Sequence, residues 1–379
     1  MGNSQGSTIR GGLHISTDKS SYVGGEFVSG NIFLQIDDPI PNSQVILGFK
    51  GKEYTHWSTN KGSGKHRHLR FYEGKHCISN FKYQIYALDA SQSVQSYTIP
   101  FSFKLPDNLP GSFSITASSG TSAFIRYEMR AKLIPVSGKA FFKNKREIEI
   151  KQVAESINQN IECEKTAQIS TWCCVSKGAL SIKARFAKDF YTPDEIATAI
   201  VDVNNSLSKL KVKKIRTVLT RKVRLTGKES ALTSLIDLNL TSYTHYHLLS
   251  DNIVESFTEC LIPEGVDGSS ETDPLLQERA LNISLDLSKS RDKIVGHFTT
   301  KGKIVECSYS LAVEAEMDGT CMCCGDSTFV STPVMIYPAE YAPAPLPSPP
   351  ENWNPELVGH VNLAWDAKYE VQPVTPTQW

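Results

Sequence analysis

Along much of the chain, apolar and polar side chains alternate one by one, the period of a strand with one buried and one wet face. Ile125, Tyr127, Met129, Ala131 and Leu133 fall on one side of such a run, and Arg126, Glu128, Arg130 and Lys132 fall on the other. Val305, Cys307, Tyr309, Leu311 and Val313 alternate in the same way with Glu306, Ser308, Ser310 and Glu314. Further strands are predicted over 28–36, 45–49, 99–105, 180–186, 197–203 and 283–287, with turn-forming residues between many of them. Long helical periodicity is almost absent. The predicted fold class is therefore all-β, built as sandwiches.

The two halves echo each other. Lys19-Ser-Ser-Tyr22-Val-Gly-Gly-Glu26-Phe27 recurs as Lys188-Asp-Phe-Tyr191-Thr-Pro-Asp-Glu195-Ile196, which predicts the same hairpin at the opening of each half. A chain of 379 residues exceeds one ordinary core, so two tandem immunoglobulin-like β-sandwiches are expected. The division is a flexible arm over 1–10, a first sandwich over 11–153, a polar connector over 154–171, a second sandwich over 172–338 and a Pro-rich tail over 339–379.

Charge and cysteine usage narrow the function classes. Positive and negative side chains number 40 each, so no global field draws the chain to nucleic acid, and any anion binding must come from local patches. No apolar run approaches the ~20 residues of a membrane span, and residues 1–12 are polar where a secretion signal is greasy. A cytoplasmic protein is expected. Its nine cysteines, with two adjacent pairs, fit reduced thiols better than a disulfide framework. The sequons at Asn204, Asn239 and Asn282 are then expected to stay unmodified.

The run Pro100-Phe-Ser-Phe-Lys-Leu-Pro-Asp-Asn-Leu-Pro-Gly-Ser-Phe113 resembles the arrestin N-terminal domain, in particular that of the α-arrestin (arrestin-domain-containing) branch. Tyr22-Val-Gly-Gly-Glu26, Ser29-Gly30, Gly48-Phe-Lys-Gly51 and Gly120-Thr-Ser-Ala-Phe-Ile125-Arg-Tyr127 continue the pattern. The second half resembles the arrestin C-terminal domain through Cys173-Cys174, the strand over 178–186 and Tyr191-Thr-Pro-Asp-Glu195. The resemblance implies arrestin-type sandwiches in a non-catalytic adaptor. Such an adaptor binds cytosolic segments of membrane-protein cargo and links them to endocytic, sorting or ubiquitin-ligation machinery, with peripheral association to plasma membrane or endosomes. A retromer-like sorting subunit is the alternative within the fold, and a lipid-binding or cytoskeletal scaffold is the alternative outside cargo sorting. No catalytic, phosphate-cradling or dinucleotide fingerprint is present, so no enzyme and no cofactor are expected.

Residues 60–76 are the most basic stretch and are predicted to form a loop. Lys61, Lys65, Arg67, Arg70 and Lys75 are candidate ligands for phosphorylated cargo or an anionic membrane surface, although the run also fits a solvated hairpin loop. Lys209, Lys211 and Lys213 alternate with Leu210 and Val212, which places the three on one strand face as a second candidate patch or an ordinary exposed face. Lys214, Arg216, Arg221, Lys222 and Arg224 extend that run. Cys321, Cys323 and Cys324 lack zinc spacing, and His245 and His247 lack a third ligand nearby, so no metal is expected. Loop or buried thiols, or palmitoylation, fit the cysteines. Gly2 is a candidate N-myristoylation site, with Gly6 where the stricter pattern wants Ser or Thr; a disordered polar arm is the other reading.

The tail changes composition, with Pro343, Pro345, Pro347, Pro349 and Pro350 favouring an extended polyproline conformation. Many α-arrestins carry Pro-Pro-x-Tyr here to recruit WW-domain ubiquitin ligases. In this chain Pro349-Pro350-Glu351 is followed by Asn352, so the resemblance does not carry that motif over. Asn354-Pro355-Glu356 predicts a helix start, and Leu357, Val361, Ala364 and Trp365 then fall on one face of a short amphipathic helix, with Leu357, Val361 and Trp365 as candidates for docking on a partner or back on the sandwiches; an unstructured tail is the other reading.

Overall fold

The computed structural model describes residues 9–61, 68–92, 94–116, 120–152, 157–171, 175–229, 244–258, 281–317, 326–338, 356–357 and 361–363. The first sandwich holds β1 (Gly11–Thr17), β2 (Ser21–Val23), β3 (Phe27–Ile36), β4 (Ser43–Lys61), β5 (His68–Leu88), β6 (Ser96–Lys104), β7 (Phe113–Thr116), β8 (Ser122–Pro135) and β9 (Phe142–Lys151). The second holds β10 (Gln159–Thr171), β11 (Val175–Lys188), β12 (Phe190–Tyr191), β13 (Ile196–Asn204), β14 (Val212–Glu229), β15 (Thr244–Thr258), β16 (Leu281–Asp286), β17 (Thr300–Lys301), β18 (Val305–Met317) and β19 (Phe329–Ile336). Two short tail strands follow, β20 (Glu356–Leu357) and β21 (Val361–Leu363).

Alternation along the strands builds the cores. Val45, Leu47 and Phe49 of β4 and Tyr127, Met129 and Ala131 of β8 face Ile99, Phe101 and Phe103 of β6, all buried. The Phe49 ring stacks on Phe81 at 5.2 Å and on Tyr127 at 5.9 Å between centroids. In the second sandwich Ile182, Ala184 and Phe186 of β11 and Val305 through Val313 of β18 fill the same role with the same period.

Among the described residues one sheet runs through both sandwiches in the order β12-β19-β18-β14-β5-β4-β8-β9-β2. The link is antiparallel pairing of β14 with β5, Lys228 opposite Glu73 and Glu229 opposite Tyr72. Two smaller sheets, β1-β3-β6-β20 and β10-β11-β13-β16, complete the sandwiches.

Two expectations are corrected. The repeated segment is not a hairpin: β2 pairs in parallel with β9 and β12 with β19, so each passes its strand to one sheet before β3 or β13 enters the other. The two copies nonetheless share their chemistry. Glu26 and Glu195 each accept an N–H three residues back, from Val23 (2.8 Å) and Thr192 (3.2 Å), and each pairs with the lysine at the segment's start, Lys19 or Lys188. Tyr22 and Tyr191 are buried beneath. The stretch 154–171 is likewise more than a connector, since 159–171 is β10, paired along its length with β11. Its polar composition belongs to an edge strand that buries only Ala167, Ile169 and Thr171.

Candidate functional site

The two sandwiches meet at a seam around Glu53. Position 53 lies on the inward side of β4, and its carboxylate is almost fully buried. It accepts the backbone N–H groups of Lys303 (3.0 Å), Ile304 (2.7 Å) and Val305 (3.1 Å), three consecutive donors from the turn between β17 and β18. Burying a carboxylate is costly unless its lone pairs are filled, and here the backbone of the other sandwich fills them. Gly302 makes the approach feasible, because a Cβ there would lie 2.8 Å from the Glu53 carboxyl. Around it, Thr55 Oγ1 donates to the Thr226 carbonyl (2.8 Å), Thr300 Oγ1 to the Gly111 carbonyl (3.1 Å), and the Lys301 N–H to Gln152 Oε1 (3.1 Å). Trp57 stacks on Tyr72 at 5.3 Å and leaves no room for a side chain at Gly227. Gly111 belongs to the Leu-Pro-Gly-Ser-Phe run singled out in the sequence, and Tyr127 donates to its Pro110 carbonyl at 2.7 Å.

Outward of this seam, β5, β4, β8 and β9 present one continuous wet face. Pairing sets Gly48 between Lys82 and Arg130, Lys50 between Asn80 and Glu128, Arg130 opposite Lys145, and Lys132 opposite Lys143. With Lys52 and Arg126, eight cations share the face: Lys50, Lys52, Lys82, Arg126, Arg130, Lys132, Lys143 and Lys145. Glu128 and Glu147 are the carboxylates interleaved among them, Glu147 paired with Arg126 at 3.1 Å.

Glu128 organises the cluster. It is wholly buried beneath Arg130 (2.5 Å), Lys145 (2.6 Å) and Lys52 (3.8 Å). Burial pushes its pKa up, but hydrogen bonds from Lys145 and Arg130 and the charge of Lys52 outweigh that and hold it at about 2. Lys82 and Lys132 are held below the usual lysine range, first by burial and then by neighbouring cations: Lys50 and Arg130 for Lys82, and Lys143, Lys82 and Arg130 for Lys132. At the centre Gly48 bears no side chain, and an open depression lies among Gly48, Lys50, Asn80, Lys82 and Arg130. An anion seated there meets several donors at once and relieves their mutual repulsion.

The residues singled out from the sequence fare differently. The basic stretch is not a loop over 60–76: β4 extends to Lys61 and β5 begins at His68, so Arg70 and Lys75 stand on β5 as part of a long hairpin arm. Lys75 is exposed and pairs with Glu73 at 2.9 Å. Lys65 and Arg67 lie outside the described residues, as do Gly2, Trp365, Cys173, Cys174, Cys321, Cys323 and Cys324. Lys209, Lys211 and Lys213 do not share a strand face, because β14 starts at Val212; Lys209 and Lys211 are exposed on the irregular approach, where the Lys209 N–H donates to the Lys177 carbonyl at 2.7 Å. Arg216 is tied to Glu314 at 2.7 Å, and Arg221 donates to the Lys293 carbonyl at 2.7 Å. In the tail, Leu357 and Val361 lie on strands, not a helix, paired in parallel with β6. Ready-made pairing on a sheet edge competes well with a helix too short to be stable alone.

The sequence did carry one trace of the basic face, the outward row Arg126, Glu128, Arg130 and Lys132. Lys50, Lys82, Lys143 and Lys145 join it only through strand pairing.

Comparison with known proteins agrees with this architecture. The family "Arrestin (or S-antigen), N-terminal domain" matches residues 13–134, and "Arrestin (or S-antigen), C-terminal domain" matches residues 176–341. The chain is 26% identical over 225 residues to Arrestin domain-containing protein 17 of Caenorhabditis elegans, covering 53% of this chain and 49% of that protein. It is 27% identical over 208 residues to Arrestin domain-containing protein A of Dictyostelium discoideum, covering 52% of this chain and 35% of that protein. The similarity thus spans half or less of these relatives' length. With both domain families matched in tandem, and with an arrestin-type sandwich observed for each, the chain belongs to the arrestin family, in its arrestin-domain-containing branch.

Proposed function

We propose that the chain is a non-catalytic adaptor whose basic face on the first sandwich grips acidic or phosphorylated cytosolic segments of membrane proteins and links them to endocytic, sorting or ubiquitin-ligation machinery. The observation that carries this reading is the sheet face of eight cations, three of which (Lys50, Lys82 and Arg130) line the depression at Gly48, with Glu128 as its internal anchor. Family membership supports an adaptor role, and the hydrogen-bonded seam supports a platform on which both sandwiches act together. Acylation at Gly2 would supply weak membrane attachment, with an association constant of roughly 10⁴ per molar, to which a second contact must be added. Because Pro-Pro-x-Tyr is missing, any ligase is reached through another segment or an intermediary.

The test uses a multiply phosphorylated peptide and, separately, vesicles containing anionic lipid. Lys82→Glu with Lys132→Glu is expected to lower phosphopeptide affinity by about tenfold or more at low salt, with the difference shrinking as salt rises. Unchanged peptide affinity would retire the reading. Loss of vesicle binding with no peptide binding in either protein would transfer the face to a lipid-binding scaffold.

A further inference from the structure

Lysines share one basicity in the unfolded chain, and the fold separates them by what each ammonium faces. Lys75 Nζ lies 2.9 Å from Glu73, and Lys183 of β11 is paired with Glu162. Those carboxylates hold both lysines above the usual range, protonated and therefore poor nucleophiles. Lys82 of β5 meets the reverse arrangement. It stands opposite Gly48, which in turn stands opposite Arg130, and Lys50 follows on the same side of β4. Glu128, opposite Lys50 on β8, is already bonded to Arg130, Lys145 and Lys52.

The depression at Gly48 completes the setting. Lys50, Asn80 and Arg130 line it together with Lys82, so an anion held by those three lies beside the Lys82 amine. A Cβ at Gly48 would stand 3.3 Å from Lys82 Cγ, so a larger residue there would crowd the lysine and fill the space. Lys82 keeps its access to solvent, while partial burial and then the charges of Lys50 and Arg130 lower its basicity. Lys132 is lowered likewise, but it is half-buried and does not line the depression.

We propose that Lys82 is an acylation site, at which an acyl phosphate docks its phosphate in the depression at Gly48 and transfers its acyl group to the lysine amine. The neutral amine attacks the acyl carbon; the new N–C bond forms as the bond from that carbon to the bridging phosphate oxygen breaks. Phosphate leaves with the electron pair and takes up the proton shed by nitrogen. Lys50 and Arg130, which hold the phosphate on docking, also stabilise the charge it gains on leaving. The resulting amide removes one cation from the depression and so weakens the face for anions, a consequence that rests on the adaptor reading, whereas the acylation itself does not.

The experiment treats the full chain with acetyl phosphate and follows each lysine by mass spectrometry. The initial rate at Lys82 is expected to exceed those at Lys75 and Lys183 by about tenfold, and to fall to their level in urea. Excess inorganic phosphate should remove most of the advantage. A neutral donor, the N-hydroxysuccinimide ester of acetic acid, should show a preference of only about threefold, since it has no phosphate to dock. Lys50→Gln is expected to slow Lys82 by about threefold with acetyl phosphate and to leave Lys75 and Lys183 unchanged. Equal rates at the three lysines of the folded parent overturn the site. A preference that survives excess phosphate, or that is as large with the neutral donor, overturns docking in the depression, as does an unchanged Lys82 rate in Lys50→Gln. Phosphopeptide affinity of the acetylated chain reports the adaptor reading separately: a fall of about threefold is expected, and no fall overturns the consequence for anion binding while the acylation stands.

Discussion

Glu53 and Glu128 are both withdrawn from water, at 3% and 0% exposure, yet their partners come from opposite chemistry. Glu53 points inward and is satisfied by three neutral backbone donors from the other sandwich. Glu128 points outward and is covered by Lys52, Arg130 and Lys145 of its own sheet. The first arrangement ties its ligands to one geometry, because backbone N–H groups cannot turn away. The second surrounds a buried anion with three side-chain cations of its own sheet. A buried carboxylate can thus fasten two sandwiches together or gather cations on one sheet face, and the partner type distinguishes the two.

Replacing Glu53 gives the strongest separation of the pair. Glu53→Ala orphans three N–H groups at a buried seam and is expected to cost about 3–5 kcal/mol in urea unfolding, with faster amide exchange over 303–305. Glu53→Gln retains one acceptor and should recover part of that loss. Glu128→Gln is expected to cost less, about 2–3 kcal/mol, since Lys52 and Lys145 can swing into water. Its signature is the pH dependence. The folded-state pKa is depressed from 4.5 to about 2, so the stabilisation is present above about pH 4.5 and is lost as pH falls from there toward 2. The variant should therefore show a flatter acid limb in unfolding midpoints between pH 5 and 2; an unchanged limb would mean that Glu128 is not held by these cations.

Gly302→Ala probes the fastener without touching a charge. Its Cβ would stand 2.8 Å from the Glu53 carboxyl, and about 1–2 kcal/mol of destabilisation is expected by thermal unfolding. The smallest effect should come from Lys82 and Lys132, which flank the anchor on the same face. Lys82→Gln and Lys132→Gln are expected to change stability by no more than about 0.5 kcal/mol, because relief of repulsion offsets lost packing, while anion binding measured by titration falls. A large stability loss from either would show that these lysines serve the fold rather than a ligand.

Alternation made β8 and β18 legible residue by residue, and the repeated Lys-Tyr-Glu segment marked two similar sandwiches before any contact was known. The same logic failed at β10, whose polar edge looks like a connector, and at β5, where Arg70 and Lys75 sit on an extended arm that glycines and charges disguise as a loop. It also failed in the tail. Spacing at Leu357 and Val361 suits a helix, but an available β6 edge supplies pairing that local propensity cannot anticipate.

By itself, the sequence determined the all-β class, the two sandwiches, the inward rows of their cores and the family resemblance, because side-chain period and turn chemistry are local properties of the chain. Only the tertiary structure decided that Glu53 closes on Lys303, Ile304 and Val305 from about 250 residues away, and that Lys50, Lys82 and Arg130 converge around Gly48. Those groupings depend on strand order and register, which arise from long-range pairing between segments whose local patterns are compatible with many partners.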